Sequence, residues 1–234
     1  MTLPSGAIYN GGWLNGMRHG GGTQDWSDGS RYVGEWRADK ANGWGILYHS
    51  DGDKYEGQWK DDRACGQGVY THNDGARYSG SWLDDNQHGF GTETWDDGAT
   101  YQGEYSNGKK HGQGKLIFAD GSVYEGKFSY DEICGIGIYQ WLDGKIYKGE
   151  WFKNKMNGKG HLRWPDGKEY NGNFIDDKRH GVGYFRWSDG REYEGEWLDG
   201  KQHGSGIFKM VNGQKKKGTW ENGKKISWLD GKTD

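Results

Sequence analysis

The chain has 234 residues, of which 31% are hydrophobic and 45 are glycine, and its formal net charge at pH 7 is −3. Low hydrophobicity with high glycine excludes an ordinary single-core domain and by itself indicates disorder, while so small a charge gives no bulk drive toward nucleic acid. Fourteen tryptophans and 15 tyrosines reverse the first inference, because large rings concentrate the apolar payload of a folded chain in a few positions.

In chain order, Met1–Ile8 shows no charged segment followed by an apolar run, so no signal peptide is expected. Ser5-Gly6 makes this stretch look like the end of an incomplete unit. From Tyr9 one pattern repeats every 23 residues. Tyr9/Gly11/Trp13 recurs as Tyr32/Gly34/Trp36, Tyr55/Gly57/Trp59, Tyr78/Gly80/Trp82, Tyr101/Gly103/Tyr105 and Tyr124/Gly126/Phe128. Tyr147/Gly149/Trp151, Tyr170/Gly172/Phe174 and Tyr193/Gly195/Trp197 follow, and the series ends at Lys216/Gly218/Trp220. A strict period of this length implies a repeat architecture. The expected organisation is a cap over residues 1–8, an array over residues 9–222 and a basic cap or tail over residues 223–234. The ten units start at 9, 32, 55, 78, 101, 124, 147, 170, 193 and 216, the last being incomplete.

Within the unit read from Tyr32, two short runs alternate with period 2, which predicts a β-hairpin. The first strand is expected near Tyr32–Trp36. The second is expected near Gly43–His49, with Gly43, Gly45, Leu47 and His49 on one face. Asp28-Gly29 and its equivalents, from Asp51-Gly52 to Asp189-Gly190 and then Asn212-Gly213, supply turns that need positive φ. Hairpin therefore follows hairpin with no room for a crossover helix. The expected fold is all-β, a single-layer antiparallel meander whose units contact only their neighbours. Glycine weakens a strand unless a neighbour approaches its backbone, so each indole is expected to lie over bare backbone, with Trp36 across from Gly43 and flanked by Gly22.

The residues that suggest chemistry have structural explanations. His19, His88, His111, His180 and His203 share one slot, roughly 10 Å apart on the strand spacing, too far to share a zinc ion. Cys65 and Cys134 occupy that same slot in distant units, and so few cysteines suit a reducing compartment. The recurring Gly-x-Gly precedes no helix and no Gly-Lys-Ser/Thr. Paired acids such as Asp61-Asp62, Asp84-Asp85, Asp96-Asp97 and Asp176-Asp177 read as turn chemistry. No catalytic residue, metal or cofactor is expected.

Surfaces carry the functional expectations. The tryptophans from Trp13 to Trp220 at the end of the first strand read as core. A second stripe (Trp26, Trp95, Trp141, Trp164 and Trp187) is open between core and partner groove, because a one-layer sheet has nothing to cover it. Trp44 and Phe90 fall on the opposite face and are candidates for surface contact. Eight lysines against three carboxylates make residues 201–234 basic. Lys215, Lys216, Lys217, Lys224 and Lys225 there could meet an anionic lipid or an acidic protein.

The combination Tyr-x-Gly-x-Trp-x-x-Gly-x-x-x-Gly-x-Gly, closed by Asp-Gly, resembles the MORN (membrane occupation and recognition nexus) repeat. Tyr193, Gly195, Trp197, Gly200, His203, Gly204, Gly206 and Asn212-Gly213 show it nearly complete, and the likeness runs from Tyr9 to Trp220. Asp39, Asp62 and Asp85 depart from it where Gly200 stands, and Lys216 replaces the tyrosine, leaving individual turns in question. The resemblance implies a non-enzymatic cytoplasmic scaffold of the ciliary, axonemal, radial-spoke-head-like or cytoskeletal type, with protein partners. It also implies self-association through terminal repeats as a homo-oligomer. The alternatives are a peripheral membrane module binding phosphoinositides through the basic end and, more distantly, an enzyme-associated regulatory subunit.

At about 4.8 Å per strand, ten two-strand units give an elongated particle roughly 95 Å long. Small-angle scattering should return that length and circular dichroism a β spectrum. A compact globule or a helical spectrum would contradict the reading.

Overall fold

A computed structural model describes residues 1–229, so of the cap or tail expected over residues 223–234 the part at 230–234 lies outside the described residues, while Lys224–Trp228 forms a strand. The chain divides into two compact units, Met1–Ala119 and the residues from 120 onward. The first holds strands β1 (Ile8–Leu14) to β10 (Lys109–Ile117), and the second holds β11 (Val123–Ser129) to β20 (Lys224–Trp228). Within each unit every strand pairs antiparallel with the next, hairpin after hairpin. No helix occurs among the described residues. The fold class is the all-β antiparallel meander that the period implies.

One repeat shows how these residues produce this sheet. β3 (Arg31–Arg37) and β4 (Lys40–Tyr48) are joined by Ala38-Asp39, with φ of 49° and 66°. Two successive positive φ values define the hairpin turn whose twist matches the strands it joins. The aspartates in the glycine slot therefore do not break the turn: Asp39, Asp62 and Asp85 all adopt positive φ, a conformation that short polar side chains tolerate. A five-residue connection then leads to β5 (Lys54–Lys60). The His49 N–H donates to the Asp53 carbonyl at 2.8 Å and the Gly52 N–H to the His49 carbonyl at 3.1 Å. The Asp51 carboxylate caps the turn by accepting the Asp53 N–H at 3.1 Å. Leu3 and Ala7 close the same kind of turn around Ser5-Gly6, at 2.7 Å.

The second strand starts earlier than its alternation suggests, at Lys40, and is interrupted by a bulge. Tyr32 faces Leu47 and Gly34 faces Gly45, but the register then shifts and Trp36 faces Ala41. Trp36 is therefore not across from Gly43, which pairs with Trp59 of the following strand. Gly43 is bulge backbone at φ +75°, where a Cβ would run into the Glu35 carboxylate. That carboxylate accepts the Trp44 N–H at 3.2 Å, so the bulge donor is satisfied.

The ring that covers glycine is tyrosine, not tryptophan. A Cβ on Gly34 would collide with the Cα of Gly45 and the Tyr32 hydroxyl, and one on Gly45 would collide with the Tyr32 ring. The Tyr32 hydroxyl donates to the Glu35 carbonyl at 3.0 Å, and Tyr55, Tyr78, Tyr101, Tyr147, Tyr170 and Tyr193 repeat that bond. Nine tyrosines, from Tyr9 to Tyr193, are at most 3% exposed. Tryptophan takes the next position out. Trp36 and Trp59 meet the Tyr32 ring edge-on at centroid distances of 5.0 and 5.4 Å, contacts worth about 0.5–1.5 kcal/mol each beyond area burial. The Trp36 indole N–H donates to the Gly22 carbonyl, so the flanking role expected of Gly22 is real. Trp13 departs from its core assignment: it is 42% exposed, having no preceding tyrosine to pack on.

Glycine at position 112 sits at φ +67° beside the Glu104 carboxylate and touches no ring; Gly114 lies under Tyr101. Gly114→Ala should therefore destabilise by about 1–3 kcal/mol through overpacking, whereas Lys109→Val should stay within about 0.5 kcal/mol. Denaturant melts of the two variants decide this, and equal midpoints would refute the interlock.

Burial also pushes the tyrosine phenols up, Tyr170 and Tyr193 to about 12. The folded state thus holds these protons more tightly than the unfolded chain does. Their contribution to stability is complete below the ordinary value of 10.0 and is lost as pH rises toward about 12. Tyrosinate absorbance should rise in this window together with loss of the strand signal; titration at the ordinary value with strands intact would contradict it.

Candidate functional site

All the rings of the interlock project from one face of the sheet in each unit. Along one margin of that face run the five-residue turns, bearing Trp26, His49, His72 and Trp95 in the first unit. Along the other run the two-residue hairpin turns with Asp39, Asp62 and Asp85. Between these margins the first unit has a cleft of about 520 Å³, in which Trp36, Ala41 and Trp59 lie between Trp26 and His49 on one side and Asp62 on the other. A neighbouring cleft of about 280 Å³ shares Trp59 and Asp62 and adds Ala64, Trp82 and Asp85. The second unit has a cleft of about 410 Å³ against Arg179, Phe185, Trp187 and Trp197.

One slot contributes a residue to each of these clefts. Arg18, Ala41, Ala64, Gln87 and Lys110 occupy it in the first unit, and Ile133, Met156, Arg179, Gln202 and Lys225 in the second. The Arg18 guanidinium lies 4.2 Å from the centroid of the Trp36 ring, and that of Arg179 lies 4.3 Å from Trp197. Alanine ends at Cβ and leaves the corresponding space open over Trp59 and Trp82. Nothing in the repeat pattern marks these alanines; comparing the slot across units is the signal that would have found them.

The hairpin turns are also tied from one repeat to the next. The Ala41 N–H donates to the Asp62 carboxylate at 2.7 Å and the Asp62 N–H returns to the Ala41 carbonyl at 3.0 Å. Ala64 with Asp85, Ile133 with Asn154 and Met156 with Asp177 form the same two-way link. Backbone and side-chain hydrogen bonds from Arg18 hold the Asp39 carboxyl below the usual range. At the opposite margin Asp53 is lowered as well, first by the hydrogen bond from the Tyr70 hydroxyl at 2.8 Å. Among the described residues no group of three or more His, Cys, Asp or Glu side chains is placed to hold a metal ion. Cys65 and Cys134 are free thiols.

The residues singled out from sequence fall into separate places. Trp95, Trp141, Trp164 and Trp187 are half-buried at the margin of the aromatic face, where the backbone N–H of each closes a five-residue turn. Trp141, Trp164 and Trp187 follow one another in the second unit, whereas Trp95 belongs to the first. Lys110 lies 4.7 Å over Trp95 and Lys145 lies 4.0 Å over Trp141, while Trp187 packs on Phe185 at 4.7 Å. Trp44 and Phe90 stand on the opposite face, 50% and 57% exposed. The lysines are divided by strand alternation. Lys216 and Lys225 share the aromatic face and lie 5.6 and 4.5 Å over Trp228, whereas Lys215, Lys217 and Lys224 point the other way. In this last repeat Trp228 and Trp220, and not a tyrosine, lie over Gly218.

Asp62→Ala removes a hydrogen bond to a buried residue and should cost about 1–3 kcal/mol, whereas Asp61→Ala loses only a solvated carboxylate and should cost less. Equal costs in chemical denaturation would refute the inter-repeat link.

Comparison with known proteins fits this geometry. The solved TCP10 domain of CPAP from Danio rerio, in complex with a peptide of STIL, has 12% identity and a TM-score of 0.54, with 96% of this chain and 99% of that chain covered. At that identity the likeness is one of fold. The SAS-4 TCP domain of Drosophila melanogaster, in complex with a proline-rich motif of Ana2, has 13% identity and a TM-score of 0.39 over 72% of this chain and 84% of that one, too low to add to the argument. No curated relative matches the chain. The model of the MORN repeat matches residues 9–31, 32–54, 55–77, 78–100, 101–123, 124–146, 147–169, 170–190 and 193–215. With matches over most of its length, the chain belongs to the MORN-repeat family.

Proposed function

We propose that the chain is a non-catalytic scaffold that docks segments of partner proteins along its aromatic face. The observation that carries this reading is the cleft of about 520 Å³ bounded by Trp26, Trp36 and Trp59, on a face with no second layer above it in its unit. Large rings in a partly open groove are the chemistry of protein hot spots. The TCP10 domain that shares the fold was solved in complex with a peptide, which supports a peptide-docking role for such a sheet. Placement in a cytoplasmic assembly of the ciliary or cytoskeletal kind is part of the proposal and rests on the resemblance to stand-alone arrays of that type.

The test compares the intact chain with two variants. One replaces Trp26, Trp141, Trp164 and Trp187 with Thr; the other replaces Lys215, Lys216 and Lys217 with Gln. Affinity capture with mass spectrometry and co-sedimentation with phosphatidylserine vesicles are run on both, at low and at physiological salt. The tryptophan variant should lose partners at both salt concentrations, since anchoring aromatics typically cost about 2 kcal/mol or more on truncation. The lysine variant should differ only at low salt. Partners retained by the tryptophan variant, with vesicle binding abolished in the lysine variant alone, would replace the scaffold with a lipid-binding module.

A further inference from the structure

The chain contains a three-part cation site in which it supplies its own cation. At Arg18 the guanidinium lies 4.2 Å over the Trp36 ring and its Nε donates to the Asp39 carboxylate at 3.1 Å. It also donates to the Asp39 carbonyl and to Gln24. At Arg179 the guanidinium lies 4.3 Å over Trp197 and donates to the Gly200 carbonyl at 2.7 Å. In both repeats indole face, turn backbone and cation occupy the same slots.

Two consecutive repeats keep every part except the cation. Ala41 stands in the slot of Arg18, with Trp59 and Asp62 in the slots of Trp36 and Asp39; Ala64, Trp82 and Asp85 repeat the substitution. The backbone frame is unchanged. Arg18 N–H donates to Asp39 at 2.8 Å, as Ala41 and Ala64 N–H donate to Asp62 and Asp85 at 2.7 Å. Clefts of the first unit lie at both places, the larger extending to Arg18 and Trp36. Trp36 and Trp197, under their arginines, are 4% exposed, whereas Trp59 is 9% exposed and Trp82 is half-buried. Neither Asp62 nor Asp85 forms an ion pair among the described residues.

We propose that Trp59 with Asp62 and Trp82 with Asp85 form paired subsites that each take one basic side chain, arginine or lysine, from an extended segment of a partner protein. This rests on the docking reading above and names the chemistry of its ligand. Guanidinium or ammonium over an indole face beside a carboxylate gains both cation–π attraction and charge pairing. The spacing fixes the pattern. Equivalent positions two strands apart are separated by about 9.6 Å, and a segment in the polyproline-II conformation, with three residues per turn at about 3.1 Å each, places residues i and i+3 on one face about 9.3 Å apart. The segment therefore carries its cations at positions i and i+3. An anionic headgroup would meet Asp62 and Asp85 and be repelled.

The test uses the full chain with ¹⁵N-labelled indoles and two synthetic probes. One is the blocked peptide Ala-Arg-Ser-Ala-Arg-Ser; the other has leucine at both arginine positions. The arginine peptide should shift the indole N–H signals of Trp59 and Trp82 and leave those of Trp36 and Trp197 in place. The double variant Ala41→Arg with Ala64→Arg fills both subsites from within and should bind the arginine peptide at least about tenfold more weakly, as expected for losing contacts of this type. Its melting midpoint should not fall below that of the parent chain. If that variant does not fold, Asp62→Asn with Asp85→Asn serves instead, and the same loss is expected. The proposal is overturned if the arginine peptide leaves both indoles unmoved, or if binding is unchanged in the variants. Equal shifts from the leucine peptide would also overturn it while leaving the docking role standing. No shift from either peptide, combined with partners retained by the tryptophan variant, removes both.

Discussion

Each repeat depends on a tyrosine ring lying over two facing glycines. Gly34 and Gly45 pair at the one point where the strand backbones leave no space for a Cβ, and the Tyr32 ring fills the surface they leave bare. The hydroxyl then needs an acceptor, because a buried phenol without one is costly. It finds the Glu35 carbonyl, which the bulge around Gly43 turns toward it. Ring, glycine pair and bulge are therefore one device. A one-residue insertion would move every ring to the other face, which explains in physical terms why the array keeps a 23-residue step.

The same face serves as core and as surface. A single layer of strands has no second layer to bury its rings, so tyrosine is enclosed by its neighbours and tryptophan forms the outer tier. The indole N–H is satisfied by the carbonyl of a glycine in the preceding repeat, as at Trp59 to Gly45 at 3.1 Å. In the first unit the slot beyond the hairpin turn bears an arginine that lies over Trp36, and alanines that cover neither Trp59 nor Trp82. Under the docking proposal, variation at this one position sets where a partner binds without disturbing the interlock beneath.

The period and the alternation of rings with turn residues made the hairpins and the all-β class legible in the sequence. The identity of the covering ring was not legible, because Tyr32 and Trp36 lie on the same face and only the bulge decides which of them reaches Gly45. The bulge itself was hidden: Gly43 and Gly45 look equivalent in a period-2 reading, although one has positive φ and the other lies in regular strand. The turns with aspartate in place of glycine looked doubtful for a similar reason. The bond that rewards Asp62 comes from Ala41, 21 residues earlier, and only pairing through space reveals it. The site was visible in part. Trp95, Trp141, Trp164 and Trp187 stood out as large rings and lie at the margin of the face, but Ala41 and Ala64 carry no chemistry of their own. They acquire meaning only beside Arg18 and Arg179.

Ring-current shifts in a solution NMR spectrum test the interlock most directly. The account predicts that the α-protons of Gly45, Gly68, Gly91, Gly114, Gly137, Gly160, Gly183 and Gly206 move upfield and show cross-relaxation to tyrosine rings. The bulge glycines Gly43, Gly66 and Gly89 should show neither effect. Ordinary α-proton shifts at the first set, or cross-relaxation from them to indoles alone, would contradict it.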